Sequence, residues 1–179
     1  MPVTVTDPVI VLGLGLLVSW LCLDAGVQKL RDPSFTAITI DDYRLLPEGA
    51  GKWLARPLAI FEVCLGVSIL LPLSRVPALI GAAVLLLVYG MAMTVNVLRG
   101  RRDIDCGCAG PGQGQRLGVP LILRNALLAV AGLVAASASA EPAHWSGWLF
   151  GFLCAVVAAL LYASINALLA NHQRLERLR

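Results

Sequence analysis

An all-α, polytopic bundle of about five transmembrane helices is the fold class this sequence predicts, and three observations predict it. The 179 residues are 58% hydrophobic and 14% charged, against a usual charged share of about 25%. A soluble domain of this length has too little interior to hide so much apolar surface. A hydrocarbon core of roughly 30 Å needs about 20 apolar residues in a helix, and five segments meet that requirement. The apolar runs are long, rich in Ala, Leu and Val, and lack the period-two alternation of a membrane β-barrel. The whole chain, 1–179, reads as a single integral membrane domain.

The first span covers about 9–30, its last turns interrupted by Asp24, Gln28 and Lys29. No Lys or Arg precedes it and no small-residue cleavage site closes the run before Asp24, so a retained helix is expected rather than a cleaved signal peptide. The connection from Arg31 to Arg56 mixes charges with Phe35, Ile38, Ile40, Tyr43, Leu45 and Leu46. Such a segment is expected to lie along the membrane interface with one short amphipathic helix. The second span, about 57–73, is short and carries Glu62. The third, about 76–98, is the cleanest, and "LPLSRVP" (71–77) joins the two as a tight antiparallel pair. The fourth and fifth cover about 119–138 and 147–170. There is no internal repeat.

Five spans put the termini on opposite sides of the membrane. Of the 14 Lys and Arg residues, Arg75 alone falls on the N-terminal side, leaving 13 on the other. By the positive-inside rule the N-terminus is external and the C-terminus cytoplasmic. The net charge of +3 is small and dispersed, so no nucleic-acid partner is expected.

The polar residues of the spans gather in the cytoplasmic half: Asp24 and Gln28, Glu62, Asn96, Arg124 and Asn125, and Asn166. Ionisable groups in a span are costly and default to a functional reading, although residues near the interface also snorkel or pair. Lys29 reads as snorkelling, and Asn96, Asn125 and Asn166 as interhelical hydrogen bonds. Asp24 and Glu62 are the candidate functional carboxylates. The flanks of Glu62, "LAIF" and "VCLG", offer it no local partner, and Arg124 is a plausible counter-ion across the bundle.

The reactive stretch is "RGRRDIDCGCAGPGQGQ" (99–115). Cysteines at i and i+2, here Cys106 and Cys108, can reach the Cα separation of a disulfide. Gly107 eases the turn because it tolerates positive φ. A ring so small is strained, and strained bridges sit at the labile, oxidising end of the potential range. That favours an exchangeable redox pair. Arg99, Arg101 and Arg102 favour the thiolate while Asp103 and Asp105 oppose it. Metal binding is the competing chemistry, but a closed zinc site wants four ligands, and the two histidines, His144 and His172, are remote in sequence; no metal site is expected. Cys22 and Cys64 lie at comparable depths, so a thiol relay to the loop competes with simple packing. Cys154 is assigned no role.

Taken together, "DAGVQKLRDPSF" (24–35), "YRLLP" (43–47), Glu62 in "IFEV", "NVLRGRRDIDCGCAG" (96–110) and "RN" (124–125) resemble the methylamine utilisation protein MauE family, part of a wider MauE/DoxX redox-associated group. The resemblance spans roughly residues 10 to 135, and Ala109 stands where the family often has Phe. It implies an inner-membrane protein that serves processing, transport or disulfide maturation of methylamine dehydrogenase, especially its small subunit, beside a thioredoxin-like MauD-type partner.

Three readings follow. The first is a thiol–disulfide oxidoreductase using Cys106 and Cys108, with Glu62 and Asp24 in support. The second is a non-catalytic scaffold or chaperone for the same maturation. The third is a DoxX-like oxidoreductase subunit engaging quinone at the Asp24/Glu62 region; apart from that, no cofactor is implied. Charge bias puts the cysteines on the cytoplasmic face, whereas the implied client folds outside. Transfer of reducing equivalents across the membrane reconciles the two, and so would a span count off by one near the motif; the charge asymmetry favours the cytoplasmic assignment. A reporter fused after Arg179 should therefore be active only in a cytoplasmic form, and one near Glu141 only in an external form. An external C-terminus would overturn the five-span reading.

Overall fold

A computed structural model describes residues 7–107, 115–137 and 145–176. Its described residues form six helices: α1 (Pro8–Arg31), α2 (Pro33–Asp42), α3 (Ala50–Leu70), α4 (Arg75–Leu98), α5 (Val119–Ser137) and α6 (Trp145–Glu176). Five are long and apolar enough to cross a membrane, the last of these over Trp145–Asn171. The chain is a multi-pass membrane protein. Outside the helices, Asp105 and Arg116 form one antiparallel bridge.

The joint between α1 and α2 is written in "RDPS". Pro33 cannot continue α1, and it disfavours helical backbone at Asp32. Asp32 accordingly adopts φ −134°, ψ 79°. Its backbone N–H donates to the Gln28 carbonyl at 3.2 Å, ending α1, and its side chain accepts from Phe35 N–H at 2.9 Å, starting α2. One residue closes one helix and caps the next, with Pro33 at the favoured first position. The chain therefore turns sharply and α2 folds back onto α3.

The short helix expected along the interface is α2, but its buried face is small and polar rather than broadly apolar. Thr36, Ala37 and Thr39 are inward, while Ile38 is exposed. This narrow face lets α3 come close: Gly51 lies against the Ala37 carbonyl with no room for a Cβ, and its N–H donates to Asp41 Oδ1 at 2.9 Å. The docking carries α3 back to Ala50, about two turns before Pro57. Pro57 thus stands inside a helix. The carbonyl of Trp53 loses its donor there, and both residues are exposed, so the orphaned group faces outward rather than into the bundle.

α1 is the most enclosed helix, packing on α3, α5 and α6, while α4 pairs closely with α5. Small residues bring α1 and α3 together. A Cβ on Gly26 would stand 2.9 Å from the Ala59 carbonyl and 2.7 Å from Val63, and one on Gly66 would stand 2.7 Å from Leu23. Ser19 donates its hydroxyl to the Gly66 carbonyl at 2.8 Å. In a membrane, where water drives no helix association, such close approach and interhelical hydrogen bonds supply the packing energy. A core of Val18, Cys22, Leu65, Ile69, Ala78 and Leu79 fills the far half of the bundle. At that end Arg75 turns back to donate to the Val11 carbonyl at 3.2 Å.

The glycine contacts are directly testable. Gly26→Ala should cost about 1–3 kcal/mol of stability through overpacking, read as a lowered thermal midpoint in detergent. Gly90→Ala should be near neutral, because its Cβ would meet nothing closer than 3.8 Å. Equal midpoints for the two variants would remove close packing as the reason α1 and α3 pair.

Candidate functional site

Glu62 projects from α3 into the bundle, 2% exposed. An isolated carboxylate in such a place is very costly. Its partner is Lys29 of α1, whose Nζ donates to both carboxylate oxygens at 2.9 and 2.7 Å. The Tyr89 hydroxyl, from α4, donates to Oε1 at 2.5 Å, in the range of charge-assisted O–H···O⁻ bonds. The ammonium also lies 5.5 Å from the Tyr89 ring centroid, within cation–π reach. Three helices therefore meet at one neutralised pair. Lys29 does not snorkel. The glycine-mediated approach of α1 to α3 leaves its side chain within reach of Glu62, and pairing in the interior replaces extension toward water.

A second group surrounds Cys106. The loop stem is clamped by Cys106 N–H to the Gln115 carbonyl at 3.0 Å and Leu117 N–H to the Ile104 carbonyl at 3.2 Å. Gly107 has φ +71°, a conformation that glycine tolerates, and a Cβ there would sit 2.7 Å from Thr39 of α2. Cys106 is buried with Met93, Leu117 and Leu121. The Arg124 guanidinium, from α5, lies 3.8 Å from its sulfur. Arg124 is itself positioned by Asn166 Oδ1 of α6 at 2.8 Å and by the Tyr162 ring at 5.6 Å. Gln115 donates to the Asn166 backbone carbonyl at 3.0 Å. A guanidinium at this distance favours a thiolate over a thiol.

Between the two groups lies a cavity of about 550 Å³. Its wall includes Lys29 and Tyr89 from the ion-pair group, Cys106 and Gly107 from the loop, Thr39 and Tyr43 from the α2 region, and apolar side chains of α3 and α4. The Tyr43 hydroxyl donates to the Cys106 carbonyl at 3.3 Å. This volume falls in the range of small-molecule sites.

The sequence candidates separate on this frame. Glu62 and Cys106 flank or line one region, but Asp24 is exposed on α1 and accepts from Gln28 at 2.7 Å. Cys108 lies outside the described residues. Arg124 is not the counter-ion of Glu62; that role falls to Lys29, while Arg124 serves Cys106. Nor does Arg101 turn to the thiol. Arg101 donates to the Asp42 and Tyr43 carbonyls at the end of α2 and to Asn96 Oδ1, and Arg116 pairs with Asp103 at 2.9 Å on the surface. Cys22 is enclosed in the apolar core with Val18, Leu65 and Ile69, and Cys64 is exposed, so the structure does not bring a thiol relay together. Asn166 bonds across helices as expected, whereas the Asn96 amide returns to its own helix at the Ala92 carbonyl, 3.1 Å away.

Tyr89 and Tyr162 were missed, and Tyr43 was read only as an interfacial residue and part of a motif. All three in the chain stand at this site: Tyr43 on the loop, Tyr89 on Glu62, Tyr162 beneath Arg124. A usable signal was present, since a phenol hydroxyl within an apolar span needs a partner.

The ion pair yields a stability prediction. Glu62→Gln strands a buried ammonium and should cost about 3–5 kcal/mol, whereas the double change Lys29→Met/Glu62→Leu should recover most of that loss. Thermal midpoints of the purified variants in detergent check both. A double variant as unstable as the single one would mean that the pair holds the helices through more than its charge.

The comparisons with known proteins identify a family. The family model for methylamine utilisation protein MauE matches residues 7–138. A methylamine utilization protein MauE of Paracoccus denitrificans is 34% identical over 90% of this chain and 88% of its own length. That of Paracoccus versutus has the same identity and coverage, and that of Methylophilus methylotrophus is 32% identical over 90% of this chain and 87% of its own. No solved structure matches the chain. The matched region contains the Lys29–Glu62–Tyr89 group, the cavity, Cys106 and Arg124; with the family model over most of the chain and these relatives at 32–34% identity, the chain belongs to the MauE family.

Proposed function

We propose that this protein serves methylamine utilisation as an inner-membrane accessory that matures methylamine dehydrogenase, chiefly its small subunit, by thiol–disulfide exchange at Cys106 and Cys108. The observation that carries the reading is the Arg124 guanidinium 3.8 Å from the Cys106 sulfur, inside a buried, tyrosine-lined site. An attacking or leaving thiol needs its anionic form, and a cation held by Asn166 and Tyr162 supplies that stabilisation. Cys108, one glycine on, is the resolving partner, and a thioredoxin-like MauD-type protein is the natural second reactant. The orientation that fits the charge distribution leaves the C-terminus cytoplasmic.

A second reading, a non-catalytic scaffold for the same maturation, draws on the burial of Cys106 at 7% exposure. A thiol so enclosed packs as a small hydrophobe and would steady the loop for docking.

Replacing Cys106 or Cys108 with Ser separates them. Exchange predicts loss of client maturation at normal membrane abundance, and a mixed disulfide trapped in a single variant under non-reducing electrophoresis. Normal client disulfides in the double variant would sink the exchange reading and leave the scaffold. Glu62→Gln should impair maturation more than Cys154→Ser, compared at equal abundance. In a Cys108→Ser background, Arg124→Met should slow alkylation of Cys106 at neutral pH and move its pH profile upward, because the guanidinium favours the anion. An unchanged profile would leave Arg124 a packing residue.

A further inference from the structure

We propose that the cavity between α2, α3, α4 and the start of the cysteine loop is a lipid site, into which an acyl chain of a bilayer phospholipid enters sideways. Its occupancy requires no chemistry at the cysteines and stands whether or not they exchange disulfides.

The rim of the cavity shows what it opens onto. α3 and α4 are joined by the short turn 71–74, and the cavity lies toward their other ends, where Leu58 and Phe61 of α3 and Val88 and Met93 of α4 line it. The described lining residues that are also exposed are Leu45, Leu46, Leu54, Pro57, Phe61 and Val88, and all six are apolar. The polar ones, Lys29, Thr36, Thr39, Tyr43 and Tyr89, are buried or half-buried. A mouth open to water would carry its polar groups at the rim, and this one carries them inside. Both α3 and α4 are long and apolar enough to cross a bilayer, so the exposed flank of the pair meets hydrocarbon.

The polar groups of the wall are turned on the protein itself. Lys29 and Tyr89 donate to Glu62. Thr36 and Thr39 donate to the Asp32 and Phe35 carbonyls, one turn back. Tyr43 donates to the Cys106 carbonyl. Such a wall suits an occupant that brings dispersion contact and asks for no hydrogen bond. Water is a poor fit, because a buried water needs two to four polar partners. A void of about 550 Å³ would forfeit the contacts of every side chain around it. An acyl chain satisfies the wall, and the bilayer supplies it at the rim.

The Arg124 guanidinium bears on which lipid enters. It stands 3.8 Å from the Cys106 sulfur, on the wall of the cavity, and donates to Asn166 of α6. A phospholipid keeps its charged head at the membrane interface and sends in a neutral chain, which neither opposes nor needs that cation. A free fatty acid could instead bring its carboxylate inside, toward Arg124. The apolar rim favours the chain alone.

The test uses the full chain in phosphatidylcholine nanodiscs that contain a phosphatidylcholine with a photoactivatable diazirine in mid-chain. After illumination, mass spectrometry should find adducts on Met93 and Tyr89, inside the cavity, as well as on Met91, which is 61% exposed and marks ordinary contact with surrounding lipid. Leu58→Trp, which fills the cavity, should remove the Met93 and Tyr89 adducts and leave those on Met91. Adducts on Met91 without any on Met93 or Tyr89 would overturn the proposal, and so would interior adducts that persist unchanged in folded Leu58→Trp. Should that variant fail to fold, competition on the wild type decides. Excess unlabelled phosphatidylcholine should suppress the interior adducts. Suppression by oleate but not by phosphatidylcholine would make this a fatty-acid site and overturn the phospholipid assignment.

Discussion

The neutralised pair Lys29–Glu62 is the constraint around which the half of the bundle that carries the cysteine loop is arranged. A bilayer tolerates neither charge alone, so α1 and α3 must stay close enough for Nζ to reach both carboxylate oxygens. Gly26 and Gly66 provide that closeness by removing the Cβ atoms that would hold the helices apart. Tyr89 extends the arrangement to α4 by donating to the same carboxylate. The pair therefore fixes the relative position of three helices, and the cavity wall is built on them.

The loop is anchored by a different logic. Its stem closes through two backbone hydrogen bonds, and its cysteine is packed against α4 and α5 rather than left on the surface. Arg101 ties the start of the loop to the end of α2, while Gln115 ties its return to α6. The Cys106 sulfur thereby faces a cation from α5 and a cavity bounded by α2, α3 and α4. Membrane bundles commonly build their chemistry where polar side chains from several helices can satisfy one another away from lipid. Here that principle places a thiol, a guanidinium, an ion pair and three tyrosines at one end of the molecule.

The two groups differ in what their cations reach. Lys29 donates to both oxygens of Glu62, whereas Arg124 reaches Asn166 Oδ1, the Tyr162 ring and the Cys106 sulfur.

By itself the sequence determined that the chain is helical and multi-pass, because hydrophobic length depends on composition along the chain and not on neighbours. It also determined the α1–α2 corner, since Asp32 and Pro33 act through backbone sterics and local hydrogen bonds, and it marked Cys106 and Glu62 as chemically unusual. The tertiary structure decided the rest. Which cation meets Glu62 depends on the rotation and spacing of α1 against α3, and neither Lys29's inward turn nor Arg124's assignment to Cys106 could be read from distance along the chain. The early start of α3 arose from docking on α2, which overrode the break that Pro57 marks in the sequence. The cavity, above all, is a property of the space between helices. No run of residues encodes it, because its walls come from five segments that only the packed bundle brings together.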